Sequence, residues 1–444
     1  MDRAIPRTEG EVMQANAIRK ITRRVVPLLV IGYIVSYIDR INVSFAKFGM
    51  EETFGMSATQ YGFVAGIFFV GYVLAEVPSN IIMTKVGARI WLSRILVTWG
   101  IIAALTAFAT SVEMVYVLRF LLGVAEAGFF PGIIVYLARW YPNAQRTKVI
   151  ATVMVAIPVA SVLGSPLNGW ILDTFDGALG LDGWRWIFIV GGVPAVILGV
   201  VFFCVLTESP EKAKWLNDTE RAWLKATLDA ENAERAQTAP AGHLAALRDK
   251  RVIALCLAYF LLLCGAYPLA YWMPSVVKEV GHGLSSFQIG WLSAIPFLLA
   301  AIGMYITGRL VRNDRSSRPV LIALAISVVA FTVTAFALGS PLLAFTAITV
   351  ATMAAQTAKP LFWSVPTAYL AGAGAASGIA LINSLGNAAG FVSPYAFGWI
   401  KDASGGHTSF AIAVMILANV GALLVVGAIA VRTRARRAAA VPAP

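Results

Sequence analysis

Apolar segments long enough to cross a bilayer recur at about twelve places along this chain. With 59% hydrophobic and only 13% charged residues, the composition lies far from that of a soluble domain and describes a polytopic membrane protein. The spans read as helices near 25–47, 58–83, 91–110, 114–140, 147–171 and 185–207, then near 252–275, 286–311, 319–338, 342–370, 375–400 and 408–431. The first of them follows a basic, polar start that ends at Arg24, and it carries Asp39 and Arg40, so it is unlike a signal-peptide core.

The formal net charge of +12 would suit nucleic acid if it were clustered on a soluble face, but it is distributed by gap. Basic residues fill alternate gaps: Arg19, Lys20, Arg23 and Arg24; Lys85, Arg89 and Arg94; Arg139, Arg146 and Lys148; the 208–251 loop; Arg309 to Arg318; and Arg432 to Arg437. The intervening gaps hold Glu51, Glu52, Glu113, Asp173 to Asp182, and Lys278 with Glu279. This is the positive-inside pattern, with both termini cytoplasmic and the bilayer, not nucleic acid, as partner. Cys204, Cys256 and Cys264 lie in or beside apolar segments, so neither a disulfide framework nor a metal site is expected.

The spans divide into two sets of six. Residues 1–207 form an amino-terminal half, 208–250 a cytoplasmic linker, and 251–444 a carboxy-terminal half. Within the linker, Asn217 and Glu220 have capping-box spacing, and Trp215, Leu216, Trp223, Leu224 and Leu228 form the apolar face of an amphipathic helix. That helix is either a clip between the halves or a tethered interfacial helix. An internal repeat supports the division: Ser165-Pro166 through Gly169-Trp170-Ile171-Leu172-Asp173 recurs, with one extra residue, as Ser393-Pro394 through Gly398-Trp399-Ile400-Lys401-Asp402. Both copies close the fifth span of their set in the same orientation, and parallel six-span repeats suit a rocker around a central site.

Polar residues inside the spans mark that site. Asp39 and Arg40 are adjacent opposite charges deep in the first span, where a charge costs roughly 2.5–3.5 kcal/mol on insertion scales. Helical spacing sets Tyr33, Tyr37, Arg40 and Ser44 on one stripe, suited to an anion, and Ser36, Asp39 and Asn42 or Val43 on the next. The alternative is a structural ion pair. Tyr72 in the second span is a cavity candidate, and Glu76 either joins it or anchors Lys85 or Arg89. In the fourth span Arg119 and Glu126 lie two turns apart, roughly 10.5 Å, with Gly123 leaving the gap between them open. A carboxylate that alternates between an arginine and a proton is a proton carrier; a fixed pair is the other reading. In the tenth span Gln356, Lys359, Trp363 and Thr367 share a stripe broken by Pro360 and Pro366, and the eleventh holds Asn383, Asn387 and Pro394. Trp363 and Asn383 offer an indole N–H and an amide to a ligand, and Lys359 would give the second half a cation opposite Arg40; without substrate the two cations need carboxylate or water partners, for which Asp39 and Glu126 are available, the alternative being that Lys359 snorkels to the cytoplasmic surface or pairs permanently with an acid. Tyr267 and Tyr271 are weaker candidates of the same kind. No phosphate-cradling loop, HExxH or GxSxG occurs, so no enzyme is expected.

Taken together these residues resemble the anion:cation symporter family within the major facilitator superfamily. The likeness rests on Tyr37-x-Asp39-Arg40-x-Asn42-x-Ser44, Glu76-Val77-Pro78-Ser79-Asn80 with Val86-Gly87-Ala88-Arg89, Arg119 with Glu126, Phe362 through Pro366, and Ile382 through Asn387 with Gly398 through Asp402. It implies a twelve-helix, all-α membrane fold and uptake of organic anions with protons. For the sugar-acid members it implies proton-linked roles for Asp39 and Glu126, carboxylate binding by Arg40, and substrate contacts from Tyr37, Tyr72, Trp363 and Asn383. This chain departs from the pattern at Ile157-Pro158, where those carriers place a Gln, at Lys359, where a small residue is expected, and at Val86, where the loop lacks the usual acidic residue. The first two departures point toward a compact dianion or an aromatic acid. The expectation is a monomeric inner-membrane symporter with no cofactor beyond the co-transported proton; its alternatives are a sugar-acid or aromatic monocarboxylate carrier, an exporter or exchanger, and a membrane sensor.

Overall fold

Four of the twelve expected spans are broken helices, and the breaks recur at equivalent spans of the two halves. The computed structural model describes residues 9–237, 250–311, 317–369 and 375–439. The first half comprises α1 (Glu9–Phe54), α2 (Ala58–Val86), α3 (Ala88–Thr106), α4 (Val112–Glu126), α5 (Phe129–Ala138), α6 (Asn143–Met154), α7 (Ala156–Thr174) and α8 (Gly183–Val205). After α9 (Asp218–Gln237) come α10 (Lys250–Val280), α11 (Ser286–Leu310), α12 (Arg318–Ala337), α13 (Pro341–Phe362), α14 (Ser364–Tyr369), α15 (Ala375–Asn387), α16 (Ala389–Ala403) and α17 (Thr408–Ala439). Eleven segments among the described residues are long and apolar enough to cross a bilayer, and the broken pair α15 and α16 supplies the remaining crossing.

The fourth span stops at Glu126 because Gly128 takes a left-handed φ of 87° before α5 restarts. The fifth and tenth break at Val155 and Trp363, each three residues before a proline (Pro158, Pro366) whose missing N–H leaves a carbonyl of the preceding turn unpaired. The eleventh breaks at Ala388. The first helix is longer than its apolar stretch: α1 begins at Glu9, so a basic extension projects ahead of Val25.

The linker helix forms as its spacing predicts. Asn217 Oδ1 accepts from the Glu220 N–H at 2.7 Å and Glu220 Oε2 accepts from the Asn217 N–H at 3.0 Å. Leu216, Leu224 and Leu228 are buried. Hydrogen bonds tie α9 to the first half, through Lys20 to Glu220 and through the Asn143 N–H to Glu231 at 2.8 Å. The rest of the expected linker, 238–249, lies outside the described residues.

The two halves meet along two symmetric seams, α2 with α16 and α7 with α11. The repeat read in the sequence builds both. Asp402 accepts from the N–H groups of Ala58 (3.1 Å) and Thr59 (2.7 Å) and from the Thr59 hydroxyl (2.6 Å), capping α2 from the other half. Its counterpart Asp173 accepts from the N–H groups of Ser286 (3.1 Å) and Phe287 (2.8 Å), capping α11. Gly398 and Gly169 let the backbones touch, because a Cβ at either would lie 2.1 Å from the carbonyl of Ala58 or Ser286. At the same end the Tyr61 hydroxyl donates to the Tyr271 carbonyl at 2.7 Å, and buried Lys47, paired with Glu51 at 2.8 Å, lies under the rings of Tyr61 and Trp272. The molecule is therefore latched at the end that carries Phe54, Thr174 and Ala403.

The carboxylate caps define a test of the latch. Asp402→Ala removes a cap worth about 0.5–2 kcal/mol. Spin labels at Glu52 and His282, both exposed at this end on opposite halves, are expected to show a longer-distance population that grows roughly two- to thirtyfold, and further when Asp173→Ala is added. Unchanged distance distributions in the double variant would mean that the caps do not hold the seam.

Candidate functional site

Burying a charge in an apolar bundle is costly unless it is paired or hydrogen-bonded. The first half answers that cost for two carboxylates, around adjacent residues of α1. On one side Arg40 Nε donates to Glu126 Oε1 at 2.8 Å, and the second guanidinium arm reaches the same oxygen at 2.7 Å. The Ser36 hydroxyl donates to that oxygen at 2.7 Å. Glu126 is fully buried at the end of α4, and its Oε2 has no hydrogen-bond partner among the described residues. On the other side Asp39 accepts from the Trp99 indole N–H at 3.0 Å and from the Asn42 amide at 2.9 Å.

Arg40 sits in an aromatic enclosure. Its guanidinium carbon lies 5.1 Å from the ring centres of Tyr37 and Tyr72 and 5.3 Å from that of Phe68. The side chain is 15% exposed. Tyr37 lies within interaction range of Tyr259 and Tyr267 on α10, which brings the second half to the same place. Phe69 extends this wall, packing edge-on against Tyr267 at 5.0 Å, and the Tyr267 hydroxyl donates to Asn387 at 3.2 Å.

The expected link between Arg119 and Glu126 does not form; Glu126 is held by Arg40 and Ser36 instead. Arg119 donates from Nε to the Val64 carbonyl at 3.4 Å, and its two terminal nitrogens are buried without partners. The Phe68 ring lies 5.2 Å from the Arg119 guanidinium and 5.3 Å from that of Arg40, in cation–π range of both. Gly123 does not leave the expected gap open either: the α2 backbone fills it, and a Cβ there would meet the Phe68 carbonyl at 2.0 Å. Glu76 does not anchor Lys85 or Arg89. Glu208, at the start of the linker, supplies the carboxylate that the 86–89 loop lacks, accepting from the N–H groups of Ala88 (2.9 Å) and Arg89 (3.0 Å) and from Arg139 (2.9 Å).

In the second half Trp363 sits at the helix break and packs on Tyr259, with ring centres 5.0 Å apart. Lys359 is half-buried and has no hydrogen-bond or ion-pair partner among the described residues. The carboxylates expected to neutralise it, Asp39 and Glu126, are engaged within the first half. Asn383 is exposed on α15, and the side chain of Thr367 lies outside the described residues. Sequence reasoning put Ser36 on a stripe with Asp39 but did not single it out, and it passed over Phe68 and Trp99. Ser36 was within reach, since its stripe borders that of Arg40. Nothing in the sequence distinguishes Phe68 or Trp99 from ordinary core aromatics.

What the arrangement offers is one guanidinium shared between a protein carboxylate and the centre of the molecule, with aromatic hydroxyls around it. The sequence profile of the Major Facilitator Superfamily matches residues 29–394. An Agrobacterium vitis protein named "Putative tartrate transporter" is 46% identical over 430 residues, covering 96% of both chains. A "Quinolone resistance transporter" of Acinetobacter baumannii is 41% identical over 396 residues, covering 88% of this chain and 90% of its own. Among solved structures, a bacterial homolog of the human lysosomal transporter Spinster, in an inward-facing and occupied conformation, superposes with a TM-score of 0.72 at 17% identity over 92% of this chain and 96% of its own. The chain is a member of the Major Facilitator Superfamily, a multi-pass membrane protein with the fold of its transporters.

Proposed function

We propose that this transporter couples the uptake of a small organic anion, with a dicarboxylate such as tartrate the leading candidate, to protons by alternating access. The observation that carries the reading is the single Arg40 guanidinium bound to the buried Glu126 carboxylate. A substrate carboxylate that binds Arg40 bidentately competes with Glu126 for the same donors. Once displaced, Glu126 would be an uncompensated buried charge, a state that costs several kcal/mol. Taking up a proton removes that charge, and Oε2 already lacks a partner. Anion binding and protonation thus favour each other, which is what symport requires. Asp39, held by Trp99 and Asn42 on the far side of α1, is a second proton-linked carboxylate in this reading. Arg119, buried nearby with unpaired nitrogens, favours a negative charge in the same region.

Tyr37 and Tyr72 line the anion site from the first half, with Trp363, Asn383 and Lys359 approaching from the second. Lys359 has no partner among the described residues, and a dianion that bridges it to Arg40 would draw the halves together. The similarity to the Agrobacterium vitis protein supports a dicarboxylate. We further propose that the halves are 1–207 and 251–444, joined by a cytoplasmic linker. The protein would lie in the inner membrane with both termini in the cytoplasm, as the basic gaps imply, and work as a monomer. The latched end then faces outward. Export or exchange is the second reading, favoured by the similarity to the quinolone resistance transporter.

Proteoliposomes test both parts. Glu126→Gln is expected to keep anion counterflow while accumulation driven by an imposed pH gradient falls to the level seen without one. Normal accumulation in this variant would place the proton route elsewhere. Lys359→Ala is expected to weaken dicarboxylate uptake by about 10- to 150-fold, the loss of one charge-assisted hydrogen bond, and to leave a matched monocarboxylate unaffected. Equal loss on both substrates, or none, would exclude the bridging role.

A further inference from the structure

The basic extension of α1 does more than mark a cytoplasmic end. Where it passes the start of α9 the two helices enclose a cleft of about 340 Å³, lined by Asn16, Arg19, Lys20, Arg23, Asn217 and Glu220. Its charge balance is uneven. Glu220 is the one carboxylate in the lining; it is 2% exposed and already engaged by Lys20 at 2.8 and 2.9 Å and by the Asn217 N–H. Three cations against one carboxylate leave two positive charges in the cleft. Arg19 and Arg23 stand four residues apart on the same face of α1, and neither has an ion-pair partner among the described residues. Like charges at that spacing destabilise a helix by a few tenths of a kcal/mol.

The position is as informative as the charge. The cleft lies immediately before Val25, where the apolar part of α1 begins, so it sits at headgroup depth. Arg24 lies over the Trp215 ring at 5.0 Å, and Trp215 stacks on buried Trp140 at 5.4 Å, which fixes the wall of the cleft to the first half. The amino-terminal end of the twenty-residue α9 points its dipole into the same space.

We infer that this cleft binds a phosphate group, the anionic headgroup of a phospholipid being the source that its depth favours. The Arg19 and Arg23 guanidinia, without ion-pair partners among the described residues, supply forked donors to phosphate oxygens, and the phosphate relieves their mutual repulsion. Bound there, it joins α1 to the linker helix and holds α9 on the first half. This inference does not depend on the identity of the transported substrate.

The test uses the full chain in phosphatidylcholine nanodiscs, with phosphatidylglycerol titrated into the bilayer or inorganic phosphate added to the buffer. Thermal unfolding is the readout. The native chain is expected to gain stability with phosphatidylglycerol. In the Arg19→Ala/Arg23→Ala variant the phosphatidylglycerol needed for half the gain is expected to rise about thirtyfold, for two arginines removed from the membrane surface. The Lys85→Ala/Lys148→Ala variant, which removes two exposed lysines from the same end, keeps the native response. An equal gain with inorganic phosphate, lost in the same arginine variant, would keep the phosphate site but make its source soluble. No gain with either probe, or the same loss in both double variants, would overturn the inference. The unfolding midpoint of each variant without added anion verifies that it folds.

Discussion

A charge inside an apolar bundle needs a partner, and the pairing of Arg40 with Glu126 is the interaction on which the central architecture depends. Truncating one member of such a pair typically costs 3–5 kcal/mol, because the other is left charged and dry. The neighbourhood is built accordingly. α4 ends at Glu126, Ser36 adds a donor to the shared oxygen, and three aromatic rings surround the guanidinium. The same rule explains why Asp39, one residue away, turns to the other side of α1: a separate set of donors from Trp99 and Asn42 serves it there. Adjacent residues on a helix cannot share a partner easily, so the helix divides its two charges between two environments.

The latch at the end of the molecule follows a different logic. The first N–H groups of any helix lack partners within it. Here α2 and α11 receive carboxylate caps from the opposite half, so the unmet hydrogen bonds of one half are satisfied only while the halves touch. Because exposed caps contribute little singly, the seam can be strong enough to close and weak enough to reopen. The Gly169 and Gly398 contacts then set how close the backbones come. A rocking transporter needs both central electrostatics that respond to a ligand and an end contact that can be exchanged, and this chain assigns them to separate residues.

The sequence was informative wherever a physical constraint acts over a short stretch. Bilayer thickness fixed the lengths of the apolar segments, basic residues marked alternate gaps, and Asn217 with Glu220 announced a helix start that forms as expected. The repeat ending in Asp173 and Asp402 was visible as symmetry, although its use as a pair of caps was not. The list of charged and aromatic candidates was also legible, because a polar residue inside a span stands out against its surroundings. Their partners were less so. Helical spacing could bring Arg119 toward Glu126 along one helix, but it could not report that Arg40 and Ser36 from another helix would take that carboxylate.

By itself, then, the sequence determined that this chain crosses a membrane many times in two related sets and that Asp39, Arg40, Arg119, Glu126 and Lys359 lie where charges are costly. Tertiary structure decided which of those charges meet: Glu126 with Arg40, Asp39 with Trp99, Arg119 with a backbone carbonyl, and Lys359 with no partner among the described residues. The physical reason is one of range. Span length, charge asymmetry and capping depend on neighbours a few residues apart, whereas an ion pair depends on a few ångströms between helices that the chain brings together only after each has formed.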